Sequence, residues 1–349
     1  MRRQERRIVT SQTLVPWRKP AALATIETEA ALAVLDERAD AYRDAARAES
    51  TRDVYQRRRA AWAAWCEEHA RESFPADWKT VDEYVAFLAA RGLRHRTIVG
   101  SCAAIRAEHF DAGLFDPTSH PKIRLALTGI RNEQGRSPQK AALAIGQLSA
   151  MCSALPADAL GARDRVVLLL GFAGAFRRAP LTALQVGDVE MFPDAARIFI
   201  GRDKQDQAGK GRYIVVPEGR HIETCPVTAL RTWLGLIGRS SGPLLVRLRG
   251  GRRRTDGAES KPALLTERQL RPGAVAMIVK ARAVAVGIDP KDLAGHSLRS
   301  GFMTAAAKAG KRLDKMMAQS GHAKTDTAMG YIRDAEMFDD ANAAKGIGL

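Results

Sequence analysis

The sequence predicts a mainly helical α+β protein with two domains and one small antiparallel β-sheet. Its 349 residues exceed the usual length of a single domain. Apolar residues follow helical spacing through most of both halves. Two β-branched runs, at 196–200 and 212–216, lie on either side of a polar segment bounded by glycine, which is typical of a hairpin or part of a small sheet.

The N-terminal half predicts a basic arm followed by a helical bundle. Residues 1–45 begin with clustered arginines and are predicted to form a flexible arm, and the composition of residues 22–48 is compatible with a helix through that whole range. Residues 46–131 then carry four amphipathic patterns joined by short loops, which favour a compact bundle. The pairs expected to cap helices are Ser50 with Asp53 and Thr80 with Glu83. Apolar faces are expected at Val54, Trp62 and Trp65, at Tyr84, Val85 and Leu88, at Ile98, Cys102 and Ile105, and at Ile123, Leu127 and Ile130.

A polar stretch at 132–140, with glycine and proline, is predicted to link this bundle to a second domain over 141–349. That domain is expected to open with helices over 143–155 and 164–176. The hairpin follows, and helical patterns continue to the C-terminus except at a loop rich in arginine and glycine over 249–262. The second domain therefore contains the predicted sheet.

The composition favours a polyanionic partner. Lys and Arg number 55 against 39 for Asp and Glu, a net charge of +16, and basic contacts to phosphates gain free energy from counterion release. Aromatic residues are only 6%, which argues against a protein that stacks single-stranded bases. Four distant cysteines without a CxxC pair argue against a zinc site and a disulfide framework. No apolar run is long enough to cross a bilayer, so we expect a cytoplasmic nucleic-acid-binding protein without membrane association.

Several basic and nucleophilic residues recur in motifs of the second domain. His296 and Arg299 lie three positions apart, the spacing that places side chains on one helix face. Gly321 precedes His322, and Tyr331 follows nine residues later. Arg177 and Arg178 come directly after the apolar run, and Lys204 falls near the tip of the predicted hairpin.

Taken in order, these motifs resemble the tyrosine recombinase (phage integrase) family, and the resemblance is to Cre-like members. The matching stretches of the second domain are GAFRRAPLTALQVGDV (174–189), IGRDKQDQAGKGRYIVVP (200–217), CPVTALRTWL (225–234), HSLRSGF (296–302) and SGHAKTDTAMGYI (320–332). Residues 50–66 and 74–98 are similar to the helical core-binding domain of that family. Each motif is weak alone, but their joint order over residues 50–345 is specific.

The resemblance implies a site-specific DNA recombinase with a homotetramer acting on two double-stranded DNA sites that carry inverted repeats. Tyr331 would cleave one strand to a 3′-phosphotyrosyl intermediate and rejoin it through a Holliday junction. Neither a metal nor ATP would be needed, so no cofactor is expected. The implied catalytic set is Tyr331, Arg177, Lys204, His296, Arg299 and His322. The segment from Glu336 onward is expected to dock onto a neighbouring protomer.

Alternatives remain at the level of the sequence. Arg178 competes with Arg177, and Lys210 competes with Lys204. Pro180 occupies a position where the family commonly carries an acidic residue, which puts the orientation of Arg177 in doubt. The alternative functions are a type IB topoisomerase-like nicking-closing enzyme and a non-catalytic DNA-binding regulator. The consecutive residues Arg94, His95 and Arg96 are predicted to contact DNA from the start of a helix in the bundle.

Overall fold

A computed structural model describes residues 29–135, 140–201, 210–250 and 263–336. The chain divides into two compact units, Met1–Ser137 and Pro138–Leu349. Helices predominate, and the strands form small antiparallel sheets, so the predicted mainly helical α+β class is confirmed. The start of the N-terminal arm, Lys204, residues 251–262 of the predicted loop and the C-terminal segment after Glu336 lie outside the described residues. Within the described ranges, no helix combines the length and apolarity that a bilayer span requires.

The first unit is helical throughout its described part. Its helices are α1 (Glu29–Ala45), α2 (Glu49–Glu68), α3 (Trp78–Ala90), α4 (His95–Asp111) and α5 (Pro121–Gln134). The aromatic side chains of α2 and α3 form the centre of its core, with the ring centroids of Trp62 and Tyr84 4.9 Å apart. Ile98, Ile105 and Ile123 are fully buried beside them. The predicted bundle and the burial of Trp62 and Trp65 are therefore confirmed.

Both predicted capping pairs in this unit are wrong, because the helices begin earlier than expected. Helix α2 starts at Glu49 after Ala48, so Ser50 and Asp53 lie inside the helix. Helix α3 starts at Trp78, where the Asp77 carboxylate accepts a hydrogen bond from the backbone N–H of Lys79 at 3.1 Å. An acceptor directly upstream thus replaces the cap that Thr80 and Glu83 were expected to form.

The predicted linker also begins too early, since α5 continues to Gln134. The side-chain amide of Gln134 explains the extension. Its oxygen accepts the backbone N–H of His95 at 2.8 Å, and its nitrogen donates to the carbonyl of Leu93 at 2.9 Å. These long-range bonds hold the last turn of α5 against the start of α4, whereas the local sequence shows only a polar stretch.

The second unit consists of helices around a three-stranded sheet. Its helices are α6 (Ile145–Ser153), α7 (Ala159–Ala173), α8 (Arg178–Ala183), α9 (Pro226–Ile237), α10 (Pro272–Val284), α11 (Ser297–Lys308), α12 (Leu313–Ser320) and α13 (Thr325–Glu336). Its strands are β1 (Val189–Met191), β2 (Ala195–Ile200), β3 (Arg212–Pro217), β4 (Val246–Arg249) and β5 (Leu264–Gln269). Helix α7 begins and ends earlier than predicted, which moves residues 174–176 into a turn.

The three-stranded sheet confirms the predicted hairpin strands. Its order is β1-β2-β3, all antiparallel, with Ile198 opposite Ile214. Alternate residues Ala196, Ile198 and Ile200 face the core, as a half-buried strand requires. Strands β4 and β5 form a separate two-stranded sheet where the sequence predicted only a loop and helices. Most of their residues are exposed, so no strong alternation marks them.

Helix α11 packs closely on α7 because both helices carry glycine at the contact. A Cβ atom at Gly171 would lie 2.8 Å from the Leu298 side chain. A Cβ atom at Gly301 would lie 2.3 Å from the Leu143 carbonyl oxygen and 2.7 Å from the Phe172 ring. Real Cβ contacts are longer than this, so the missing side chains determine how near α11 approaches the core of the unit.

Gly301→Ala is expected to lower the free energy of unfolding by about 2 kcal/mol or more, because the new methyl group overlaps backbone and ring atoms that cannot move freely. Gly235→Ala is the matched control, since Gly235 is also inside a helix of this unit but has open space at its Cβ position. It should stabilise the protein by about 0.5–1 kcal/mol. Urea unfolding of both variants checks this, and equal effects would contradict the packing argument.

Candidate active site

The turn between α7 and α8 presents a buried carbonyl group next to Arg177. Helix α7 ends at Ala173, and Ala175 then adopts a left-handed conformation with φ +49°. That conformation strains a residue with a Cβ atom. Ala175 is fully buried, and its carbonyl accepts a hydrogen bond from Nη1 of Arg299 at 2.7 Å. The strained turn thus directs one backbone oxygen toward α11 and places Arg177 at the N-cap of α8.

Arg299 is the most deeply buried cation of the site, with 1% of its surface exposed. It lies in the first turn of α11, and His296 occupies the N-cap position immediately before that helix. The prediction that both residues lie within one helix is therefore wrong by one residue. The backbone N–H of Ser300 still bonds the His296 carbonyl at 2.9 Å, so His296 and Arg299 share the first turn.

The last carbonyl groups of α12 are bound by side chains from other elements. Nη1 of Arg299 also donates to the carbonyl of Ser320. Nη1 of Arg212, at the start of β3, donates to the carbonyls of Ala318 at 3.0 Å and Gln319 at 3.1 Å. Two guanidinium groups therefore satisfy carbonyls that an isolated helix end leaves unpaired, at the negative end of the helix dipole.

Gly321 ends α12 in a left-handed conformation, with φ +67°. A Cβ atom there would lie 2.8–3.0 Å from the guanidinium of Arg212, so glycine suits both the backbone and the space. The side-chain amide of Gln319 donates to the carbonyls of Ala173 at 2.9 Å and Val215 at 3.2 Å. The residues directly before His322 are thus hydrogen-bonded to α7, α11 and β3.

Tyr331 on α13 lies beside His322. Their ring centroids are 6.2 Å apart at an interplanar angle of 46°. The phenol is mostly buried, with 9% of Tyr331 exposed, and it packs in a small cluster with Met303, Met316 and Ala328. Nδ1 of His322 lies 2.8 Å from Oγ of Ser320. The loop after α12 and the middle of α13 therefore bring an imidazole and a phenol together.

Burial and neighbouring positive charges lower the pKa values of both histidines. Burial, followed by the charges of Arg299, Arg177 and His296, lowers the pKa of His322 to about 4. Partial burial, followed by Arg299, Arg177 and Arg178, also lowers the pKa of His296. Both rings are therefore neutral at pH 7, and the same guanidinium groups favour an anion bound among them.

Five of the predicted catalytic residues lie together in this unit, and one cannot be placed. The residues brought together are Arg177, His296, Arg299, His322 and Tyr331. Lys204 lies outside the described residues, whereas its competitor Lys210 is described and exposed. The predicted DNA-contacting residues Arg94, His95 and Arg96 begin α4 in the other unit, and both arginines there are exposed.

Two details bear on the alternatives raised by the sequence. Arg178 is exposed, and its aliphatic carbons cover Gly295, whereas Arg177 is half-buried. Pro180 lies in the first turn of α8, a position that tolerates proline, so the helix forms without the acidic residue. The buried carboxylate of Asp164 on α7 bonds Arg163 and Arg282.

The sequence did not reveal Arg212, Gln319 and Ser320 as parts of the site, because no local pattern marks residues that act through long-range contacts.

Comparison with known proteins places this geometry in a family. The sequence profile described as "Phage integrase family" matches residues 142–337, more than half of the chain. The chain belongs to the phage integrase family. It is thus related to the tyrosine recombinases, as the motifs predicted. The residues gathered in the second unit all lie within the matched region of this integrase family member.

Individual relatives of this phage integrase family member extend the match to the first unit. The chain is 31% identical over 281 residues to the "Integrase/recombinase xerD homolog" of Selenomonas ruminantium, covering 79% of each protein. It is 26% identical over 294 residues to "Recombinase cre" of Escherichia phage P1, covering 79% of this chain and 81% of that protein. The solved structure of XerH site-specific recombinase bound to difH substrate has 16% identity and a TM-score of 0.49, covering 79% of this chain and 74% of that one.

Acidification should destabilise the second unit through His322. Its pKa is about 4 in the folded protein and about 6.5 in an unfolded chain. The unfolded state therefore binds more protons between these values, so stability falls as pH drops through that window. We expect a loss of about 1–2 kcal/mol from this group between pH 7 and pH 5.

Urea unfolding at both pH values, in wild type and His322→Gln, measures this contribution. The Gln variant should lose less stability on acidification than the wild type. His221→Gln is the control, since His221 is an exposed histidine of the same unit, and it should behave like the wild type. The same acid-induced loss in all three proteins would show that His322 is not the source.

Proposed function

We propose that this protein is a site-specific DNA recombinase that uses Tyr331 as its nucleophile. The phenol oxygen attacks a DNA phosphorus, forms a 3′-phosphotyrosyl bond and releases a 5′-hydroxyl. One observation carries the proposal: Tyr331 lies beside His322 in the positive field of Arg177 and Arg299, within the matched region of an integrase family chain. A phosphodiester is anionic, and such a field stabilises the additional charge of its transition state.

Arg177 and Arg299 are proposed to bind the non-bridging oxygens of the scissile phosphate. Guanidinium groups remain charged and present planar forks that match two phosphate oxygens. The half-buried position of Arg177 supports it over the exposed Arg178, and the charge of Arg177 contributes to the lowered pKa of His322. The backbone bonds of Arg299 to Ala175 and Ser320 hold it in place before DNA binds.

The remaining members of the set are proposed to move protons. His296 donates to the phosphate or manages the proton of the nucleophile, and His322 bonds a non-bridging oxygen while packing beside Tyr331. Lys204 protonates the departing 5′ oxygen. Because the phosphotyrosyl bond conserves the energy of the broken phosphodiester, the proposed reaction consumes neither ATP nor another co-reactant, and protein cations perform the role that a metal would have.

Recombination follows when the phosphotyrosyl bond is attacked by a 5′-hydroxyl from a partner strand. We propose that a homotetramer performs two such exchanges on a pair of double-stranded sites with inverted repeats, through a Holliday junction. The protein named "Recombinase cre", to which the chain is similar over both units, supports this assignment over a topoisomerase-like enzyme. The net charge of +16 fits a duplex DNA partner.

Tyr331→Phe should abolish covalent attachment to DNA, because phenylalanine lacks the nucleophilic oxygen. The substrate is a nicked duplex bearing candidate inverted repeats recovered from DNA that flanks the gene, which traps the covalent intermediate after cleavage. Denaturing gels detect the protein–DNA adduct. Tyr42→Phe is the control, since Tyr42 is 71% exposed and lies in the first unit. An adduct formed by Tyr331→Phe would disprove the assignment.

The start of α4 is proposed to contact the DNA backbone or bases. Arg94, His95 and Arg96 are consecutive there, and the exposed arginines are available to phosphates. Replacing Arg94 and Arg96 by glutamine should weaken DNA binding and reduce the slope of log affinity against log salt by about 0.9 for each lost phosphate contact.

Titrations of fluorescent duplex DNA at several salt concentrations measure both quantities. The matched control replaces Arg71 and Arg106 by glutamine. It removes the same charge from the same unit, but its arginines already pair with Glu83 and Asp116. The control should show the smaller decrease in DNA affinity and in salt slope. If the two double variants had equal affinities and slopes, the proposed contact would be refuted.

A further inference from the structure

The hydroxyl of Ser320 has two close polar neighbours. Its Oγ lies 2.7 Å from the carbonyl oxygen of Met316 and 2.8 Å from Nδ1 of His322. Ser320 is completely buried. Both distances are those of good hydrogen bonds, so each contact needs a proton between its two heavy atoms. Ser320 has a single hydroxyl proton to supply.

The chemistry of the two neighbours determines where the protons lie. A carbonyl oxygen only accepts, so the Ser320 hydroxyl must donate to Met316. The Ser320 oxygen then presents lone pairs to His322, and Nδ1 must carry the proton of the second bond. The opposite arrangement would leave two oxygen lone pairs facing each other at 2.7 Å. A neutral imidazole has one ring proton, so Nε2 of His322 is left with its lone pair.

We infer that Ser320 is a positioning residue that holds His322 as its Nδ1–H tautomer, leaving Nε2 as a proton acceptor next to Tyr331. This role deepens the function proposed above and rests on it. The neighbouring groups are consistent with a neutral ring. Arg177 in the α7–α8 turn, His296 and Arg299 at the start of α11, and Tyr331 on α13 surround it, and the guanidiniums oppose a second ring proton.

The Nδ1–H tautomer changes the proton transfers proposed for His322. As the Tyr331 oxygen bonds phosphorus, its proton passes to Nε2, and the bond from phosphorus to the 5′ oxygen breaks. The departing oxygen takes its proton from Lys204. With the anionic phosphate bound, its charge offsets that of the guanidiniums, so His322 now carries protons on both nitrogens, and its Nε2–H donates to a non-bridging oxygen. His296 is then left to donate to the phosphate, and all protons are conserved.

Nitrogen NMR on protein labelled with ¹⁵N-histidine tests the tautomer directly, without DNA. The chain has seven histidines, and His322→Gln identifies the signal of interest. At pH 7 the wild type should show a protonated Nδ1 and an unprotonated Nε2. Ser320→Ala should shift His322 toward the Nε2–H form that free imidazole side chains favour in water. Ser300→Ala is the matched control, because Ser300 is also buried and bonds a carbonyl four residues earlier, that of His296.

The control should leave the His322 spectrum unchanged. A wild-type spectrum with the proton of His322 on Nε2 would overturn the inference, and this result does not require Ser320→Ala to fold. If Ser320→Ala folds, an unchanged tautomer of His322 in that variant would also overturn it. Cleavage of the nicked duplex by Ser320→Ala should be about tenfold slower, and an unchanged rate with an altered tautomer would remove its role in the reaction. Because the spectra need no DNA, they remain decisive even if Tyr331 forms no adduct.

Discussion

One buried guanidinium connects the segments that make up the candidate active site. Nη1 of Arg299 donates to the carbonyls of Ala175 and Ser320, which belong to the α7–α8 turn and the end of α12. These two carbonyls lie two residues from Arg177 and His322, respectively. Because a buried charge is tolerated only with good hydrogen-bond partners, the position of Arg299 and the paths of both chain segments depend on each other. The same group that would bind phosphate therefore also organises its neighbours.

The end of α12 shows how a helix terminus can be made part of a site. Four successive carbonyls, from Met317 to Ser320, receive donors from Gly321, Arg212 and Arg299. Each donor comes from a different part of the second unit. The loop that carries His322 is thus held by bonds from three directions, which restricts the imidazole before any substrate arrives. Such preorganisation lets the electrostatic field act without rearrangement during the reaction.

Much of the fold follows from patterns along the chain, and the rest depends on contacts between distant residues. Apolar spacing predicted α4 and α5, and β-branched runs on either side of a polar segment predicted the core strands β2 and β3. The β4–β5 sheet was missed, because its residues are largely exposed and show little alternation. The start of α3 was misplaced, because Asp77 provides a cap that outweighs a capping motif three residues later. The motifs predicted five of the residues that lie together in the structure. Ser320, Arg212 and Gln319 act through contacts in the folded chain that no local pattern predicts.

The packing around α13 affects how Tyr331 can respond to a substrate. Its ring lies in a cluster separate from the main core of the unit, and two of the buried members of that cluster are Met303 and Met316. Methionine side chains are unbranched and polarisable, so they adjust to small displacements of a neighbour while keeping contact. The proposed nucleophile therefore packs against side chains that adjust easily, whereas Arg299 is fixed by hydrogen bonds to two backbone carbonyls. If Tyr331 attacks phosphorus as proposed, its ring can shift a short distance while the two methionines keep contact with it.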